Sequence, residues 1–346
     1  MNKIIAEDLD FILKSNVNWE KFRNKTFLIT GAYGMLVSYM VYTLLHLNES
    51  DPKFNVTVIA LIRDREKAIK RFGYFAESKY IKLIEHDLQL SIEILGDVDY
   101  IIHGASYASP HYFCIKPVSV LMPNVMGTYY LLELAKAKKI ENFLFFSSGA
   151  VYGRPVKGYK VTENDYGYLD PLDVKSCYGE SKRMGENMCK CWHHQFGVPV
   201  KIVRPAHIYG STMDIENDSR VFANFTNSIV KGQNIVMRSD GSARRSFCYI
   251  ADATVAFFKV LLEGTDGEAY NVGNDAAYVS IKELAEIFIS ALPEKQLKVI
   301  VEKREINRNK EEQMLMSSQK VERLGWKCSF SIPAGIKRTI EGILHN

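Results

Sequence analysis

The apolar positions of this chain change period along its length, and that change sketches a fold. Residues 4–14 carry apolar side chains at helical spacing, so a short amphipathic helix precedes the main fold and packs on it. Thr26-Phe27-Leu28-Ile29-Thr30 is a continuous apolar, β-rich run ending in a glycine turn, which marks a buried parallel strand. A helix is expected over 34–47. Further strands are expected at 56–62, 100–103, 143–147 and 198–204, with a helix carrying Tyr178 between the last two. Strands alternating with helices predict an α/β fold, a doubly wound parallel sheet of the Rossmann type. After about residue 209 the pattern loosens. The expected organisation is a helical extension over 1–24, a main domain over 25–209 and a smaller mixed lobe over 210–346, some of whose segments return to the main domain. No linker rich in Pro, Gly or Ser divides the halves, and no internal repeat is visible.

Chemistry concentrates in Tyr178-Gly179-Glu180-Ser181-Lys182, where a phenol and an ammonium stand four residues apart on one face of a helix. A nearby ammonium stabilises a phenolate, so the Tyr178 pKa is expected to fall from about 10 toward the working pH. Such a phenol is a general base or acid for a secondary alcohol or ketone. Alone the pair is common on solvated helix faces. Its company upstream is what gives it weight: Thr30-Gly31-Ala32-Tyr33-Gly34 near the start, and Ser147-Ser148 ahead of the tyrosine. Gly31 and Gly34 suit a tight turn that lets phosphates approach a helix N-terminus.

These pieces, in this order, resemble the extended short-chain dehydrogenase/reductase family, whose members mostly remodel nucleotide-activated sugars. The likeness runs from about residue 25 to about residue 342. It includes Asn124-Val125-Met126-Gly127-Thr128, Phe146 through Gly153, Val203-Arg204-Pro205, Arg220 through Phe225, Arg245 through Tyr249 and Leu324-Gly325-Trp326. The look is most like UDP-glucuronate decarboxylase-like members and their dehydratase and epimerase relatives. The resemblance implies an NAD-dependent enzyme that holds a nucleotide sugar, UDP-linked by preference, under its smaller lobe. It implies catalytic roles for Ser148, Tyr178 and Lys182. Cofactor contacts fall on Gly31, Tyr33, Gly34, Met35, Arg63, Asp87, Leu88, Ala105 and Pro205, together with Tyr178 and Lys182. Substrate contacts fall on Tyr107, Ser109, Asn124, His207, Arg220, Asn224 and Arg245, the last as a bidentate grip on diphosphate. Asn124 is also expected behind the site, holding the tyrosine segment.

Departures from the family pattern carry as much information. Val37 replaces the third glycine and predicts a slightly displaced helix. The acid that holds the ribose of NAD would fall on Ala60, while Arg63 and Asp64 follow. Arg63 could pair with a 2′-phosphate, stack on adenine or be solvated. NAD is expected because enzymes that regenerate their own cofactor mostly use it, with NADP left open. Dehydratases of the family carry Asp-Glu just after the position of Ser148, and decarboxylases keep the glutamate. Here the pair is Gly149-Ala150, which transfers no proton, so the space there should be small and apolar. Glu311-Glu312-Gln313 stands where the decarboxylases have an Arg-rich segment. The expected reaction is therefore epimerisation at carbon 4 of a UDP-hexose or uronic acid. A 4-ketoreductase is the first alternative, then a decarboxylase or 4,6-dehydratase. A non-catalytic nucleotide-sugar or dinucleotide sensor is the alternative of another class.

Composition narrows the setting. A net charge of +4 over 346 residues, without a long basic run, gives no sign of nucleic-acid binding. No apolar run approaches the roughly 20 residues a membrane helix needs, and the N-terminus lacks a signal peptide's core. Six scattered cysteines form no disulfide framework and fit a reducing cytoplasm. Cys189, Cys191, His193 and His194 lie in one helix and point in different directions, so no metal site is expected. The resemblance also implies a homodimer paired through two helices, here about 118–138 and 178–196, the first of which carries more apolar surface than one core face needs.

Overall fold

The computed structural model of the chain describes residues 1–154, 160–302 and 314–345. Its strands in chain order begin with β1 (Thr26–Thr30), β2 (Thr57–Ile62), β3 (Ile81–Glu85), β4 (Tyr100–His103) and β5 (Asn142–Phe146). A two-residue β6 (Lys160–Val161) precedes β7 (Val200–Pro205) and β8 (His207–Tyr209). The later strands are β9 (Ile235–Met237), β10 (Arg244–Tyr249), β11 (Glu268–Val272), β12 (Tyr278–Ser280), β13 (Val299–Val301) and β14 (Leu315–Met316). Seven of them form one parallel sheet in the order β11-β7-β5-β4-β1-β2-β3. The chain runs outward from β1 to β3, then returns to the other side of β1 and continues through β4. That reversal opens a crevice beyond the carboxyl ends of β1 and β4, where ligands of open α/β sheets bind.

The helices are α1 (Lys3–Leu13), α2 (Met35–Ser50), α3 (Arg65–Phe72), α4 (His111–Ile115), α5 (Pro117–Met122) and α6 (Thr128–Lys138). They continue with α7 (Cys177–Phe196), α8 (Val221–Val230), α9 (Ile250–Glu263), α10 (Ile281–Ser290), α11 (Gln319–Glu322) and α12 (Ile332–Leu344). Alternation along β1 divides the core. Phe27 and Ile29 join α2 and α9 on one face, whereas Leu28 joins Leu131 of α6 and Cys189 of α7 on the other. Both faces are covered, which is why β1 reads as an unbroken apolar run.

The second half of the chain contributes β11 and α9 to this main body. The rest builds smaller sheets, β12-β10-β8, β13-β9 and β14-β6. α1 docks by Ile4, Ile5, Leu9 and Ile12, and buries Asp8 among them. The Asp8 carboxylate accepts from the Tyr39 and Tyr249 hydroxyls at 2.9 and 2.7 Å and pairs with Arg338 at 2.8 Å. Burial of this carboxylate pushes its pKa up despite those partners. Among the described residues, no helix is long and apolar enough to cross a membrane.

Candidate active site

The crevice begins where β1 ends. Gly31 has φ +65°, and a Cβ there would stand 2.7 Å from the backbone of Gly104 and Ala105. Only glycine lets this turn lie so close to the segment after β4. Gly34 precedes α2 without any side-chain cap, so the first amides of that helix are left for another acceptor. In the segment after β4, the Ser106 and Ser109 hydroxyl oxygens are buried without a partner among the described residues. Uncapped amides, a glycine cradle and unpaired hydroxyls at one sheet edge fit a dinucleotide. Tyr33, Met35, Ala105 and Pro205, all half-buried, surround the same strand ends. Room for Val37 comes from Gly104, where a Cβ would lie 2.3 Å from Val37 Cγ2, so the valine is accommodated by a second glycine.

The catalytic candidates sit across the crevice. α7 starts at Cys177, which puts Tyr178 in its first turn and Lys182 one turn later, both buried. The Tyr178 ring stacks on Phe113 at 5.0 Å. Ser148, just after β5, caps the following turn by accepting from the Ala150 amide at 3.1 Å. The Lys182 ammonium donates to the Phe146 carbonyl at 2.6 Å, and burial pulls its pKa down to about 7 while Glu186 opposes the shift. The expectation that Lys182 lowers the Tyr178 pKa is corrected here. Burial pushes the phenol up, and what acts the other way is the Ser148 hydroxyl and the Arg220 charge. Lys182 stands 6.0 Å from the phenol ring centre and is not among the groups that lower the phenol.

Arg220 and Arg245 reach the same region from the smaller lobe. Desolvation, then the Arg245 and Arg220 charges, pull the His207 imidazole down to about 4, leaving it neutral at pH 7. Arg220 is held by Asp218 at 2.5 Å, and Asn224 donates to the Ser219 carbonyl at 2.9 Å.

With this geometry in view, the relatives are informative. Residues 27–273 match the model of the NAD dependent epimerase/dehydratase family. The chain belongs to that family. UDP-glucuronic acid decarboxylase 3 of Arabidopsis thaliana is 31% identical over 317 residues, covering 90% of this chain and 87% of that protein. UDP-N-acetylglucosamine 4-epimerase from Methanobrevibacter ruminantium M1 superposes with a TM-score of 0.79 at 22% identity, over 92% of this chain and 98% of that one. UDP-glucuronic acid 4-epimerase from Bacillus cereus, with NAD, gives 0.74 at 22% identity over the same shares. This member of the NAD dependent epimerase/dehydratase family is thus an enzyme whose cofactor is NAD.

Several of the other expected contacts have partners of their own. Asn124 is fully buried in a π-turn at Pro123–Gly127, where it donates to Ser181 at 3.0 Å; it anchors α7 and does not line a sugar pocket. Leu88 packs its side chain in the core on the α6–α7 face, leaving only backbone for a ligand. The Tyr107 hydroxyl accepts from Arg63 at 2.6 Å, which turns Tyr107 toward the end of β2. Asp87 is exposed and accepts from the Gln89 amide at 3.0 Å. Ala60 is fully buried mid-strand opposite Ile29, so the ribose position belongs to the strand tip at Ile62-Arg63-Asp64.

Two features escaped the sequence reading. Glu186 pairs with Arg204 at 2.6 Å and accepts from Ser147 at 2.5 Å, while Arg204 donates to the Tyr152 hydroxyl at 2.9 Å. This buried network braces α7 against β5 and β7. Its signal was available: Glu186 follows Lys182 by one helical turn. The other is Met316, whose sulfur would lie 2.7 Å from a Cβ on Gly149, with Met314 Cε at 3.6 Å. Gly149 therefore meets the apolar cluster of Val151, Tyr152, Val161 and Met316, whereas Ala150 borders a hollow lined by Arg154, Asp170, Asp173 and Lys175, so the expectation of a small apolar space is corrected on that side. Glu311, Glu312 and Gln313 lie outside the described residues.

Proposed function

We propose that the chain is a nucleotide-sugar epimerase acting at carbon 4 of a UDP-linked hexose or uronic acid. The observation that carries this reading is the contrast beside Ser148: its hydroxyl approaches buried Tyr178, while Gly149 meets Met316 where proton-transfer carboxylates would be needed for elimination. Asp170 and Asp173 border the hollow beside Ala150 and Tyr178, but each accepts a backbone amide of its own loop at 3.0 Å. When bound, NAD supplies the hydride acceptor and donor. Ser148 orients the reacting oxygen, and Tyr178 Oη takes its proton and returns it. Lys182, fixed by the Phe146 carbonyl, is placed to hold the cofactor ribose. Arg245, Arg220 and neutral His207 make a basic patch suited to the diphosphate.

A second reading, a 4-ketoreductase, is favoured by the raised Tyr178 pKa, since a protonated phenol is the form that donates to a ketone oxygen. Incubation with a panel of UDP-, dTDP-, GDP- and CDP-sugars, read by NMR, tests both. An equilibrating pair of carbon-4 epimers is expected; release of water or carbon dioxide would overturn the choice. The same reading includes a cytoplasmic homodimer. Exposed Val118, Tyr129, Met184 and Phe196 on α5, α6 and α7 support the pairing, and a monomeric mass at micromolar concentration would refute it.

A further inference from the structure

The fold brings two cysteines together that lie 80 residues apart in the chain. Cys248 sits near the end of β10 and is fully buried, whereas Cys328 stands half-buried in the segment between α11 and α12. Their sulfurs are 3.8 Å apart, in van der Waals contact. Closing that gap to the about 2 Å of a disulfide asks each sulfur to move by less than about 1 Å. The contact is built, because one residue holds the segment that carries Cys328. Trp326 Nε1 donates to the Asp252 carbonyl at 2.8 Å, and the Ser329 and Phe330 amides donate to the Asp252 carboxylate at 3.0 and 2.9 Å. Asp252 lies in the first turn of α9, directly after β10, so both thiols are fixed by the same junction. The Cys248 thiol points to the Tyr249 carbonyl at 3.6 Å and the Cys328 thiol to the Gly273 carbonyl at 3.8 Å.

We propose that Cys248 and Cys328 form a redox modification site, which a hydroperoxide closes to a disulfide and a thiol reductant reopens. Cys328 is the accessible member and reacts first as its thiolate. Its sulfur bonds to one peroxide oxygen, the O–O bond breaks, and the other oxygen leaves and takes a proton. The Cys248 sulfur then displaces hydroxide from the resulting sulfenic acid, and its own proton completes a water molecule. With hydrogen peroxide, two thiols and one peroxide give one disulfide and two waters; the sulfurs lose the two electrons that the peroxide gains. The hydrogen bond with Cys328, then burial, raise the Cys248 thiol well above its ordinary value, which keeps it out of the first step. The disulfide ties the segment leading into α12 to the strand that carries Arg245, and this is independent of which sugar reacts.

The test exposes the reduced full-length protein to hydrogen peroxide, blocks remaining thiols by alkylation and maps the peptides without reduction. A linked pair of peptides holding Cys248 and Cys328, lighter by two hydrogens, is expected, and dithiothreitol should separate it. Closing so long a loop should raise the melting temperature by about 5 °C, a gain that the same reductant removes. Cys328→Ser should abolish both the link and the shift. Cys248→Ser should leave Cys328 as a sulfenic acid that dimedone traps, and the Cys328 variant carries the test if that buried change impairs folding. Exposed Cys114 and Cys191 serve as internal controls. Oxidation of those two while Cys248 and Cys328 stay alkylatable overturns the proposal, as does a link that forms only in urea.

Discussion

The two sides of Ser148 differ more than any other neighbouring parts of this crevice. On one side Tyr178, Lys182, Glu186, Ser147 and Arg204 form a buried polar set in which each charged group has a partner. On the other, Gly149 runs into Met316 and Met314, and neither it nor Ala150 carries an ionisable group. The contrast teaches that oxidation and elimination are separable tasks. On the proposed reading, the groups that would move a proton at an alcohol oxygen are kept, while Gly149 meets apolar atoms where a carboxylate would be needed.

The strongest way to break this contrast is Tyr178→Phe. The ring and its stack on Phe113 are retained, so the fold should hold while turnover falls by about 10²–10⁴-fold. Turnover that survives would move the proton-handling group elsewhere and favour a sensor-like role for the tyrosine. Breaking the brace comes next. Glu186→Gln leaves the Arg204 guanidinium buried without its counter-charge and should cost about 3–5 kcal/mol in urea unfolding. Adding Arg204→Met should recover much of that loss; additive losses would show that the pair is not the coupled unit.

The apolar side is sharpened by Gly149→Val, which drives a side chain into Met316 and should cost about 1–3 kcal/mol. Met316→Ala in the same chain should relieve it, and equal costs with either partner would remove Met316 from the argument. The smallest effect is a pH dependence. The Lys182 pKa lies near 7 in the folded chain and at its ordinary higher value when unfolded. Between those values the unfolded chain binds one more proton, so this group adds stability as pH rises above about 7. The ligand-free protein should therefore gain thermal stability from pH 7 to pH 9, and Lys182→Met should flatten that gain. An unchanged slope would place the titrating group elsewhere.

What the sequence determined was local. The apolar period of residues 26–30, the glycine turn at 31–34 and the one-face spacing of Tyr178 and Lys182 are properties of short segments, and each folds as its pattern predicts. The same holds for the parallel sheet, since a strand buried on both faces has no polar alternation to show. Tertiary structure decided what depends on residues far apart in the chain. Tyr178 is buried against Phe113 and the rest of the fold, and that burial outweighs the Ser148 hydroxyl and the Arg220 charge and reverses the expected pKa shift. Gly104 makes the room that Val37 takes, and Tyr107 draws Arg63 across the crevice. Met316 reaches Gly149 from far along the chain. A pattern of neighbours along the chain can announce a group, but desolvation and charge are set by whatever packs against it, and only the folded chain brings those atoms together.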